Sequence, residues 1–258
     1  MNNLSYFLIL SLFFVAGCDL ELNSTNEEES NIIRDEEGKI VSGEVKQYTP
    51  GGKLTSIINV KEYKLHGPAV KYYEDGTTVR SKLNYNMGNL EGMQKRYYKS
   101  GALYKEEPYV NGKRHGLVKK YRESGKIMTE VVYKNGQPGT ELREYLTNGK
   151  LKQKYPSIVI KEIDNLRYNG VYTLKISMSD NSKNVKYYIG ELDEGKFFSD
   201  NLIPERNVSK GILTVHFNLK PGDFLMKEFN VVARMPTRLN NAYITSRRHR
   251  LGIEFPLY

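Results

Sequence analysis

Asn111-Gly112-Lys113-Arg114-His115-Gly116-Leu117-Val118-Lys119-Lys120-Tyr121, followed after Arg122 by Glu123-Ser124-Gly125-Lys126-Ile127, is the stretch that decides the fold. Asn111-Gly112 and Ser124-Gly125 are turn dipeptides, residues that accept positive φ at low steric cost. The run between them has the length and alternation of a β-strand. One unit of this kind reads as a β-hairpin with a second turn leading onward.

The unit recurs. Gly43, Gly67, Gly92, Gly116 and Gly139 stand at steps of 24, 25, 24 and 23 residues. Five residues after each of the first four comes Tyr48, Tyr72, Tyr97 or Tyr121, and nine after comes Gly52, Gly76, Gly101 or Gly125. The fifth unit has one extra residue, which gives Tyr145 and Gly149. Leu54, Thr78, Leu103, Ile127 and Leu151 close the pattern. A period in this range means stacked supersecondary units, because neighbours bury a surface that one hairpin alone cannot. Strand alternation then predicts that the repeated Tyr and the aliphatic position share a packed face, with Lys and Glu opposite. Tyr97 is expected on that packed face and Tyr98 on the other.

These segments resemble the variant MORN repeat of bacterial proteins in the YwqK-type antitoxin family, over residues 39–155. The resemblance implies an elongated all-β array used for binding and, in some relatives, toxin neutralisation. After Tyr155-Pro156 the repeat stops and plain alternation takes over. Strands are predicted at Ile158–Ile163, Tyr172–Met178, Val185–Leu192, Gly211–Leu219, Phe229–Arg234, Ala242–Ser246 and Leu251–Phe255. Turn clusters such as Lys220-Pro221-Gly222-Asp223 separate them. Residues 156–258 are therefore expected to form an immunoglobulin-like β-sandwich, with a jelly-roll sandwich as the second choice. The fold class is all-β: a hairpin array followed by a sandwich.

The N-terminus gives an address. Residues 4–16 are almost wholly apolar, too short for a membrane span but suited to the apolar core of a signal peptide. Val15-Ala16-Gly17-Cys18 closes this leader with the chain's one cysteine. It resembles the lipobox of bacterial lipoproteins, which implies removal of residues 1–17, acylation of Cys18 and a lipid anchor in the cell envelope. Residues 18–38 are expected to be a disordered acidic tether: eight Asp and Glu face Arg34 alone. Subtracting its net −7 from the chain's +9 leaves +16 for residues 39–258.

That basic body needs an anionic partner, and an exported protein rarely meets nucleic acid, so no nucleic-acid ligand is expected. The expected partners are the membrane, through the anchor, and a protein or an anionic surface polymer. Lys95, Arg96, Lys119, Lys120 and Arg122 recur in neighbouring predicted strands and, with Tyr98, make up the expected partner-binding patch. Tyrosine supplies contact area there at little entropic cost. No HExxH, CxxC or GxSxG arrangement occurs, and the glycines have the wrong spacing for a phosphate loop. The sequence therefore predicts a binding or scaffold protein with no cofactor, no metal and no catalytic residues. The main rival is an immunity or antitoxin protein that neutralises a toxin by direct binding.

Overall fold

The computed structural model describes residues 31–257. The leader, Cys18 and the tether up to residue 30 lie outside the described residues.

The repeats form hairpins where their glycines dictate. Paired strands run Ile40–Tyr48 with Leu54–Lys61, Gly67–Tyr72 with Val79–Asn86, Gly92–Tyr97 with Leu103–Val110, and Gly116–Tyr121 with Ile127–Lys134. Each first turn is closed by the glycine amide, from Gly52 to Thr49 O through Gly149 to Leu146 O, at 2.8 to 2.9 Å. The connecting turns place two successive residues at positive φ, as at Asn111 (49°) and Gly112 (75°), the requirement that selects Asn-Gly. Each unit pairs with the next, so that among the described residues the array is one antiparallel sheet of 14 strands. In the fifth unit pairing shrinks to Gln137–Pro138 and Arg143–Glu144.

Part of the expected tether is ordered. Ile33–Arg34 pairs with the first repeat strand, and the Asp35 carboxylate accepts the amides of Glu37 at 3.1 Å and Lys39 at 2.9 Å. The acidic residues around 35–37 thus shape a turn, and the array begins before residue 39. Gly43 records this contact: a Cβ there would meet Asn31 O at 2.4 Å.

The packed face also differs from expectation. The buried side chains are Val45, Ala69, Gln94 and Val118, two residues after the first glycine of each unit, with Ser56, Ile58, Ser81, Glu107, Thr129 and Val131 on the partner strands. None of the repeat tyrosines is buried. Tyr97 and Tyr121 share a face with Lys95 and Lys119, away from this core, because they lie an odd number of residues from Gln94 and Val118. Gln94 meets the cost of burial by satisfying its amide fully: Nε2 donates to Glu91 O at 2.8 Å and Oε1 accepts from Asn84 N at 2.8 Å.

The C-terminal region is the expected sandwich. Among the described residues one sheet runs Ile158–Asn165, Val171–Met178, Ile212–Asn218, Val208–Ser209, and the other Lys186–Ile189, Phe224–Pro236, Ala242–Glu254. Taken in chain order as A to G, these are sheets A-B-E-D and C-F-G, the constant-type immunoglobulin arrangement. The two strands expected at Ala242–Ser246 and Leu251–Phe255 are one: Arg248 and Arg250 continue the ladder with side chains outward, while Arg247, on the inward parity, donates Nη1 to Ile158 O of the facing sheet at 2.9 Å. Leu174, Ile176 and Met178 from one sheet pack on Tyr187, Val231 and Ala233 from the other. Fully buried Tyr187, on the C strand, donates its hydroxyl to Gly211 O at 3.1 Å.

Candidate binding surface

Register across the array decides which charged side chains are neighbours. One line of direct cross-strand partners reads Lys82, Lys95, Glu106, Lys119, Glu130, Arg143. Signs alternate along it from Lys95 onward. Lys95 lies 3.3 Å from Glu106 and Lys119 4.0 Å from Glu130, while the Tyr121 and Tyr145 hydroxyls donate to Glu106 and Glu130 at 2.7 Å. The Tyr121 hydrogen bond, first among its causes, holds the Glu106 carboxyl below its ordinary pKa, and burial with that same bond pushes Tyr121 up to about 12.

One residue further along every strand, on the opposite face, the line reads Gln47, Ser56, Lys71, Ser81, Arg96, Lys105, Lys120, Thr129, Glu144. Here three cations, Arg96, Lys105 and Lys120, are direct neighbours in three adjacent strands. Like charges directly opposite one another destabilise a sheet. The one carboxylate among them is Glu107, 3% exposed, with Lys105 Nζ at 2.6 Å and Arg96 Nε at 3.5 Å. Burial, opposed by the hydrogen bond to Glu107, lowers the Lys105 pKa; burial and then the charge of Lys105 lower that of Lys120. Arg114, stacked over the Tyr133 ring at 4.3 Å, adds to the same field.

The expected patch is therefore divided. Lys95 and Lys119 belong to the neutralised line, while Arg96 and Lys120 belong to the cationic line on the other face. Tyr98 is a strut between repeats: its hydroxyl donates to Tyr121 O at 2.8 Å, its ring meets Tyr104 edge to face, and burial raises its pKa. Tyr73 makes the same bond to Tyr97 O at 2.7 Å, and Arg122 replaces the tyrosine in the next unit, its Nη2 donating to Tyr145 O at 2.7 Å. Lys105 was missed because its role depends on strand register; its parity with Arg96 and Lys120 is the signal that marks it.

The cationic line ends at the sandwich. Lys120 Nζ donates to Asn241 Oδ1 at 2.8 Å, and Asn241 Nδ2 donates to buried Glu144 at 2.9 Å. Thr237 and Lys152 also donate to Glu144. Main-chain bonds from Thr140 to Lys196 O and from Phe198 to Pro138 O join the two regions further. Among the described residues no group of three or more His, Cys, Asp or Glu could hold a metal ion, and no helix is long and apolar enough to cross a membrane.

No curated protein matches the chain. A family model described as the MORN repeat variant matches residues 41–62, 90–111 and 114–135. The unit built on Gly67 has the same strands and turns outside those segments. The chain thus carries variant MORN repeats, a repeat type generally found in binding or scaffold roles.

Proposed function

We propose that this chain is an exported bacterial lipoprotein, anchored through Cys18, whose repeat array binds an anionic partner on the face carrying Arg96, Lys105 and Lys120. The observation that carries the reading is the adjacency of those three cations. The opposite face has one like-charge pair, Lys82 and Lys95, and alternates from there on, whereas this face sets three cations side by side around a single buried carboxylate, a local cost that an anionic partner would relieve. Such a partner, a protein or a surface polymer, would be steered by the field and then gain partly buried charge pairs.

Membrane capture tests both halves. The acylated protein is used to capture its partner from membranes, beside Arg96→Gln/Lys120→Gln and Lys95→Gln/Lys119→Gln variants. The first pair should lose the partner and the second retain it; the reverse would refute the assignment of the face. Cys18→Ser should leave the membrane fraction, and retention of that variant with an intact mature N-terminal mass would refute the anchor.

A further inference from the structure

A cleft of about 1270 Å³ lies between the last repeat and the sandwich, larger than the roughly 300 to 1,000 Å³ of small-molecule sites. Tyr145, Tyr155 and Tyr243 line it, with Tyr155 and Tyr243 stacked at 5.0 Å. Its cations outnumber its free anions. Glu144 is engaged by Thr237, Asn241 and Lys152, and Asp180 by the amide and hydroxyl of Ser182. Lys154 and Arg238 are exposed and make no ion pair among the described residues. Arg122 contributes a buried Nε with no hydrogen-bond partner. At this position the two preceding units have Tyr73 and Tyr98, which make the inter-repeat bond without charge. Arginine keeps that bond and adds a cation where the cleft begins.

The wall between array and sandwich supplies a second observation. Lys152 N is bonded to Glu144 O, and Ser157 exchanges bonds with Ser179, whose amide donates to Ser157 O and whose hydroxyl accepts from Ser157 N. Between these anchors, Gln153, Lys154 and Tyr155 run outside any strand and make no main-chain hydrogen bond to the described main chain. A segment with its main chain free in this way, its last residue Tyr155 held toward extended backbone by the following Pro156, is a template for strand addition.

We propose that the cleft binds an extended acidic peptide segment of a partner protein, which adds as a short strand along Gln153–Tyr155 and presents carboxylates to Arg122, Lys154 and Arg238. The free main chain favours a peptide over an anionic saccharide, because a saccharide cannot complete the ladder. The guanidinium groups offer planar donors suited to carboxylates. The site meets the cationic line only at its end, Glu144, and the proposal does not depend on that line's own partner or on the anchor.

Fluorescence anisotropy of the full chain with a labelled octapeptide of alternating Glu and Thr tests this. The peptide should bind saturably, and Lys154→Ser/Arg238→Ser should weaken it by roughly tenfold or more, the scale of losing charge-assisted hydrogen bonds. Arg122→Tyr, which restores the residue of the other repeats, should also weaken binding while leaving the melting temperature within about two degrees, as expected where the inter-repeat bond is kept. N-methylation of alternate peptide amides should abolish binding, and Arg96→Gln, away from the cleft, should leave it unchanged. Equal binding of the methylated peptide, binding of polygalacturonate with no binding of the peptide, or loss in the Arg96→Gln variant alone would each overturn the proposal.

Discussion

Glu107→Gln should destabilise the chain by about 3 kcal/mol, more than any other single charge removal in the array. The carboxylate is 3% exposed, 2.6 Å from Lys105 Nζ and 3.5 Å from Arg96 Nε. At an effective dielectric near 20 those separations correspond to gross attractions of about 6 and about 5 kcal/mol. Desolvation of the buried carboxylate cancels several kcal/mol of this, and Arg96, 56% exposed, is screened by solvent. What remains is the usual cost of stranding one partner of a buried pair, about 3 to 5 kcal/mol, taken at its lower end. Three neighbouring cations would then face one another with no anion between them. Because the penalty comes from the stranded charge, Lys105→Met in the Glu107→Gln background should recover most of it. Urea unfolding of wild type, both single variants and the double variant measures the cycle. A Glu107→Gln change under 1 kcal/mol, or a double variant equal to the sum of the singles, would refute the reasoning.

Tyr98→Phe should cost about 1 kcal/mol through loss of the bond to Tyr121 O, and Tyr98→Ala should lower the urea midpoint more than Tyr97→Ala does. Gly43→Ala should destabilise more than Gly125→Ala, since a Cβ at Gly43 meets Asn31 O at 2.4 Å and one at Gly125 meets nothing within 4 Å; urea midpoints rank the two. Tyr121, Tyr155, Tyr172 and Tyr187 are all pushed up to about 12, mainly by burial, so the unfolded chain ionises first as pH rises past 10. The folded state then holds more protons than the unfolded one, and stability should fall steadily between pH 10 and 12, read as urea midpoints across that range.

The Gly and Tyr spacing made the hairpins legible because a turn that needs positive φ leaves few choices of residue. The sandwich was legible for a related reason: seven alternating runs separated by turn clusters fit few two-sheet topologies. Faces were harder to read. Alternation gives relative parity along a strand but never says which parity is inside, and an aromatic residue is a poor anchor when its hydroxyl has a carboxylate partner. Tyr121 and Tyr145 sit over Glu106 and Glu130, so the tyrosines mark the face opposite the core. Taking Lys95, Arg96, Lys119 and Lys120 as one patch failed on the same point, since adjacent residues on a strand point apart. Arg247, Arg248 and Arg250 interrupted an apolar pattern without interrupting the strand, because Arg248 and Arg250 point outward and Arg247 finds a main-chain acceptor, Ile158 O, in the facing sheet.

Contacts distant in sequence were the least legible. Glu144 is bonded to Thr237 and Asn241 across 93 and 97 residues, and nothing near Glu144 in the chain announces either partner. Yet the repeat itself carries a trace of the junction. Tyr73, Tyr98 and Arg122 occupy one structural position and make one inter-repeat bond, so stability alone gives no reason for the third to differ. Leu146, at the corresponding place in the next unit, has an apolar side chain that can donate no such bond, although its turn is closed by the Gly149 amide as in the other units. The departure from the pattern falls at the unit that abuts the sandwich, where a charge faces the cleft. In an array whose units repeat for packing reasons, a residue that keeps the shared bond while changing charge is where function is most readily separated from fold.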